Sequence, residues 1–230
     1  MDTPPFDPDS VLDAAARDVV VVEGPDARSY LHSQLSQDVE SVAVGDVSWS
    51  LVLAPTGKVE GLMRLTRTAD DRFELTTDAG YGEPLVARLE RFKIRVDAAL
   101  SLQAAASAAP DDAAESRRVA AGWPRLGAEI VPGETIPAVT GILPLVVSFT
   151  KGCYPGQELV ERMDSRGADA PRTLRVFDDL GNVAPGDDIL DGDGQVVGAV
   201  TSVAGGHALG YVKRGAEVGR VPAVVAQPNS

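Results

Sequence analysis

Thiol and imidazole chemistry is nearly absent from this chain. Its 230 residues contain one cysteine, Cys153, and two histidines, His32 and His207. A single thiol excludes an intrachain disulfide, and one thiolate falls short of the roughly four ligands that an iron–sulfur cluster takes. The histidines lie far apart, and no Cys/His spacing resembles a zinc site, so no stable metal is expected. Positive charge is also scarce. Lys plus Arg number 21 against 34 Asp plus Glu, a formal net charge of −13 and a pI near 4.5. That balance excludes a broad phosphate-gripping surface, so direct nucleic-acid binding is not expected, while a small basic pocket stays open. Long apolar runs are missing as well. The longest stretch, Ile142 to Phe149, is broken by Pro144 and Ser148. It falls far short of the roughly 20 residues that span a bilayer. The start, Met1-Asp2-Thr3-Pro4-Pro5, lacks the basic residues and the apolar run of about 7–15 residues found in a secretory leader. The expectation is a soluble, cytoplasmic protein without membrane contact. An apolar fraction of 44% is enough for a real core and excludes wholesale disorder.

What is present reads as α+β. Asp18 to Glu23 holds four consecutive valines, a buried strand by β-branching and length. Gly24-Pro25-Asp26 opens a helix whose apolar face is Ala27, Tyr30, Leu31 and Leu35. Val47, Trp49, Leu51 and Leu53 recur at period two and predict a strand. Pro55-Thr56-Gly57 is a turn, with Lys58 to Arg67 returning as the hairpin partner and Arg72 to Thr77 as a third strand. Tyr81, Leu85, Leu89 and Phe92 share one helical face, and Lys93 to Ala98 reads as another strand. Residues 98 to 121 hold 11 alanines in 24 positions and fit a strand, a surface excursion and the start of a helix. From Arg172 onward, short β runs at Leu174–Phe177, Gln195–Val203, Leu209–Lys213 and Val221–Val225 alternate with Gly/Asp turns. That spacing predicts a small antiparallel barrel or sandwich. The expected division is 1–170 and 171–230.

The densest stretch is Lys151-Gly152-Cys153-Tyr154-Pro155-Gly156-Gln157-Glu158. Its glycines and proline allow a tight bend that brings five functional side chains into one small volume. A compact turn whose Gln and Glu cap nearby backbone accounts for the same pattern. Cys153 reads as a small buried hydrophobe, the usual fate of a lone cysteine, or as a thiolate favoured by Lys151 two positions away.

The octet resembles the signature of the folate-binding YgfZ family, K-G-C-Y-x-G-Q-E, at every fixed position. The likeness continues through Leu159-Val160-Glu161-Arg162 and Arg166-Gly167. It extends upstream to Arg118-Val119-Ala120-Ala121-Gly122-Trp123-Pro124 and Pro137-Ala138-Val139-Thr140. Gly24-Pro25-Asp26-Ala27 through Leu31 and Pro55-Thr56-Gly57-Lys58 fit too. This family shares its fold with the T-protein aminomethyltransferase of glycine cleavage. The resemblance implies a T-protein-like α+β body that contains a ferredoxin-like unit and binds tetrahydrofolate in a central channel, followed by a C-terminal antiparallel β-barrel. It implies a role in iron–sulfur cluster assembly or repair, with an indirect effect on tRNA modification and with iron–sulfur carrier or client proteins as partners. The chain is shorter than typical members, and the shortfall falls in residues 98–121.

Carried over residue by residue, the resemblance makes Cys153 the candidate catalytic group. Lys151 becomes a candidate for the anionic folate tail, and Tyr154 for stacking on the pterin or filling the core. Gln157 and Glu158 fasten the loop or face ligand, Arg162 and Arg118 are candidate anion contacts, and Trp123 adjoins the channel. His32 is expected at the surface and His207 in a barrel turn. Aminomethyltransferases carry adjacent aspartates after the hairpin turn, where Glu60-Gly61 stand here, and glutamates where Ala120 and Val139 stand. These departures count against a tetrahydrofolate-dependent one-carbon transferase. That alternative stays open, as does a folate-independent scaffold that docks an iron–sulfur carrier.

Overall fold

A computed structural model describes residues 8–9, 17–105, 111–165, 170–178 and 180–222. The chain starts with strand β1 (Arg17–Glu23) and helix α1 (Ala27–Gln34). Strands β2 (Val47–Leu53), β3 (Val59–Ala69) and β4 (Arg72–Asp78) follow, then helix α2 (Gly82–Phe92) and β5 (Ala99–Gln103). These strands form one antiparallel sheet in the order β2-β3-β4-β1-β5. With β2 set aside as an added edge strand, β1-α1-β3-β4-α2-β5 in the order β3-β4-β1-β5 is a ferredoxin-like unit.

The period-two alternation decides what each face buries. Val20, Val22, Phe73, Leu75, Met63 and Leu65 pack under the helices, against Tyr30, Leu31, Leu85 and Leu89. Each fully buried side chain of this size contributes about 1.5–3 kcal/mol. The opposite face, Leu51, Leu53, Val59 and Leu62, is covered by the chain after α3 (Asp112–Ala121), through Trp123, Ile130, Ile142, Val146 and Tyr154. Between β2 and β3 the register slips: Leu53 pairs with Val59 but Val52 pairs with Gly61, which leaves Glu60 as the extra residue of a bulge.

Residues 93–98 were expected as a strand, but they form a loop and the strand follows at Ala99–Gln103. Their alternation imitates a strand, yet pairing with β1 begins only at Ala99 opposite Glu23. Before that the chain must climb from α2 back to the sheet edge. The Asp97 amide donates to Asp26 Oδ2 at 2.8 Å, and the Asp97 carbonyl accepts from the Asp26 amide at 3.1 Å. Ile94 is left 76% exposed. The alanine-rich segment does contain a strand and a helix, α3, which is capped by the Asp111 carboxylate on the amides of Ala113 and Ala114.

After the short helix α4 (Leu143–Val146) and helix α5 (Gln157–Ser165) comes a second antiparallel sheet. It is built from β6 (Arg172–Asp178), β7 (Asp188–Leu190), β8 (Val196–Ala204) and β9 (His207–Lys213), in the order β6-β9-β8-β7. β7 escapes sequence patterning because its three residues lie between two turn signals. A single bridge joins Val176 to Arg220 on the outer edge of β6. Among the described residues the sheet does not close on itself. Of the strand expected at 221–225, Val221 and Pro222 are irregular and the rest lies outside the described residues. α3 packs on this second sheet through Val119, beside Leu174, Leu209 and Tyr211.

Candidate functional site

The loop before α5 is stitched to the body at both ends. Upstream, the Ser148 amide donates to the Ser36 carbonyl at 3.0 Å. The Lys151 ammonium donates to the carbonyls of His32 and, at 2.6 Å, Leu35. Downstream, Gln157 Oε1 at the start of α5 accepts from the Tyr154 amide at 3.3 Å. Gly156 holds φ +84°, and a side chain there would meet the Ala54 carbonyl oxygen at 2.6 Å and the Gly57 α-carbon at 3.0 Å. Gly57, at φ +80°, would in turn drive a side chain into Leu159. The Pro55-Thr56-Gly57 turn and the octet are therefore two halves of one joint, and glycine is required on both sides of it.

Cys153 is free and exposed. It lies on the wall of a cleft of about 410 Å³ whose other walls include Pro55, Tyr154, Gln157, Glu158 and Glu161. That volume lies within the range of small-molecule sites, roughly 300–1,000 Å³. Tyr154 is 7% exposed and belongs to the core under the sheet. Burial, and then the nearby Glu161 charge, push its phenol up to about 12, so it stays neutral. Gln157 Nε2 donates to Glu161 Oε1, so its amide is engaged on both sides. Glu158 and Arg162 are exposed on α5. Arg166 and Gly167 lie outside the described residues.

The candidates do not all meet. Lys151 is half-buried with its ammonium turned inward, 4.9 Å from the Tyr154 ring. Burial pulls its pKa down from 10.5 to about 8, against the pull of Asp38, Glu40 and Cys153. Arg118 is 2% exposed and is not among the residues lining the cleft. Its five N–H donors meet five acceptors: both Glu115 oxygens at 2.8 Å, Glu129 Oε2 at 2.9 Å, the Trp123 carbonyl at 2.6 Å and Ser202 Oγ at 2.7 Å. Burial lowers the Arg118 pKa, but the bonds and charges of Glu115 and Glu129 outweigh it, and the net shift is upward. Trp123 is core, edge to face with Trp49 at 4.6 Å.

Three residues outside the candidate set gain importance. Glu129, 1% exposed, accepts from Arg118, the Arg125 amide, Thr201 and Ser202, and so ties α3 to β8. His32, expected at the surface, has a side chain only 18% exposed and lies beside the octet. Its Nε2 is 3.9 Å from where a Gly152 side chain would start. Arg88 is 7% exposed and binds Glu60, the Leu53 carbonyl at 2.8 Å and Gln34 Oε1 at 3.3 Å. A signal for Arg88 existed, since it sits on the apolar stripe of α2 between Leu85 and Leu89. Among the described residues no group of three or more His, Cys, Asp or Glu is placed to hold a metal ion. No described helix is long and apolar enough to cross a membrane.

Residues 172–225 match the family model of the CAF17 C-terminal beta-barrel domain. The C-terminal segment is therefore similar to the CAF17 barrel domain. The chain as a whole has the fold of a glycine cleavage aminomethyltransferase. The crystal structure of the glycine cleavage system aminomethyltransferase T from Bartonella henselae matches it with a TM-score of 0.73 at 20% identity, over 91% of this chain and 83% of that one. An uncharacterized protein of Haemophilus influenzae is 25% identical, with the alignment covering 69% of this chain and 70% of that protein.

Proposed function

We propose that the chain binds a reduced folate, tetrahydrofolate or a close relative, and uses Cys153 beside it to assist iron–sulfur cluster assembly or repair in the cytoplasm. Residues 1–170 are the folate-binding body and 171–230 the barrel domain. Iron–sulfur carrier or client proteins are the partners, and the effect on tRNA modification is indirect. The observation that carries this is the placement of the lone sulfur, exposed on the wall of a cleft large enough for a pterin. The donor set supports the pterin head. Glu158 and Glu161 offer carboxylate acceptors to the N–H groups of an aminopyrimidinone ring, and Pro55 and Tyr154 offer apolar contact. Among the described residues no basic side chain lines the cleft, so the anionic tail points outward, toward α5 and its exposed Arg162. A bound reduced folate supplies one-carbon or electron chemistry. The chain's own part is to orient the ring and to present the thiol at its edge.

The alternative one-carbon transferase has the aminomethyltransferase fold in its favour. Against it, Glu60 is held in a bulge by the buried Arg88 guanidinium, and Val139 is buried toward the barrel domain. Titration calorimetry with tetrahydrofolate, followed by a folate-soaked crystal, tests the proposal. Density beside residues 151–158 supports it, and no heat and no density leave the folate-independent scaffold. Folate-dependent turnover of formaldehyde would replace it with the transferase.

A further inference from the structure

The carbonyl end of a helix has no partners of its own and carries partial negative charge. α1 ends beneath the octet, where Lys151 closes it by donating to the carbonyls of His32 and Leu35. This seat is rigid. Leu35 turns to extended backbone (ψ 152°) and bridges Val52 of the sheet. The His32 ring backs onto Gly152, with Nδ1 3.3 Å from Asp38 Oδ1. Three residues past Lys151, Tyr154 is buried in the core. Only Gly152 and Cys153 separate the two anchors, so the path of the backbone at Cys153 is set from both sides. We propose that Lys151 is a positioning residue for Cys153: its ammonium docks the octet on the carbonyl end of α1 and so holds the thiol at the cleft, leaving the folate tail to other cations. The functional consequence rests on the folate-and-thiol role, but the docking itself does not.

The full chain is compared as wild type, Lys151→Met, Lys151→Gln and Lys151→Arg. Two readouts need no folate: hydrogen exchange of the amides of residues 152–157, and the rate of Cys153 alkylation by iodoacetamide at pH 7.5. Lys151→Met and Lys151→Gln speed loop exchange at least tenfold and leave the strands of the first sheet unchanged. They change the alkylation rate about threefold or more, because the thiol is no longer held in one place at the cleft. Lys151→Arg keeps the charge and the donors and restores both values to within about twofold of wild type. If Lys151→Met does not fold, Lys151→Gln decides. Either readout staying at its wild-type value in the neutral variants overturns the proposal, as does failure of arginine to rescue. A third readout separates docking from tail binding. Docking makes Lys151→Met weaken tetrahydrofolate and its triglutamate by the same factor, whereas selective loss of the triglutamate's extra affinity overturns it. Absence of folate binding by the wild type sinks the folate role and leaves the exchange and alkylation results to decide the docking.

Discussion

Gly156 and Gly57 meet backbone to backbone, the α-carbon of one 3.0 Å from where a side chain on the other would begin. The turn that follows β2 and the bend that precedes α5 therefore share a single contact, and the cleft beside Cys153 opens at its edge, between Pro55 and the octet. Glycine at each point satisfies both a left-handed φ and the absence of room.

Gly156→Ala is expected to be destabilising by about 2–4 kcal/mol, combining the cost of left-handed backbone with the clash against the Ala54 carbonyl. Urea unfolding measures it. A loss under about 1 kcal/mol would show that the two loops do not touch.

Cys153→Ser alters an exposed atom, so its stability should stay within about 0.5 kcal/mol of wild type. In cells lacking the protein it should fail to restore the activity of an iron–sulfur enzyme. Full restoration would remove the chemical role of the sulfur.

Arg118→Met strands Glu129 without its cation in a site 1% exposed, and the expected cost is about 3–5 kcal/mol. Adding Glu129→Gln should recover part of that loss, because the stranded charge disappears with it. Strict additivity of the two substitutions in urea unfolding would contradict the pairing.

Asp18 and Lys151 set pH dependences of the same sign in different windows, each adding stability as pH rises. Burial pushes the Asp18 carboxyl up, but bonds from the Ala105, Gly82 and Gly80 amides win, and its pKa falls below 3.8. Its stabilisation is therefore complete above the ordinary carboxylate range and is lost as pH drops through the lower, folded value. Lys151, lowered from 10.5 to about 8, binds its proton more tightly in the unfolded chain. Between those two values the contribution of Lys151 to stability rises with pH. The difference in urea midpoint between wild type and Lys151→Met should shift in favour of wild type from pH 8 to pH 10, and the opposite trend would refute the burial of the ammonium.

Much of this architecture is legible locally. β1 announces itself by four valines, α2 by Leu85, Leu89 and Phe92 on one face, and the octet by its glycines. The error at 93–98 has a local cause as well: Lys93-Ile94-Arg95-Val96 alternates like a strand, and nothing in those residues says that the sheet edge lies several residues away. Candidate roles were harder to assign. Arg118 had the chemistry of an anion contact, yet every donor it owns is taken by a protein acceptor.

Periodicity, branching and turn chemistry act between neighbours along the chain, so composition and order alone determined the alternating strands, the helical faces and a bend able to expose one sulfur. Which groups became partners was decided only by tertiary packing. Lys151 is claimed by the end of α1, Arg88 by Glu60 and Arg118 by Glu129 because folding delivers those atoms to hydrogen-bonding distance out of water. A buried charge takes whatever acceptor the surrounding walls present, and those walls are assembled from segments far apart in sequence.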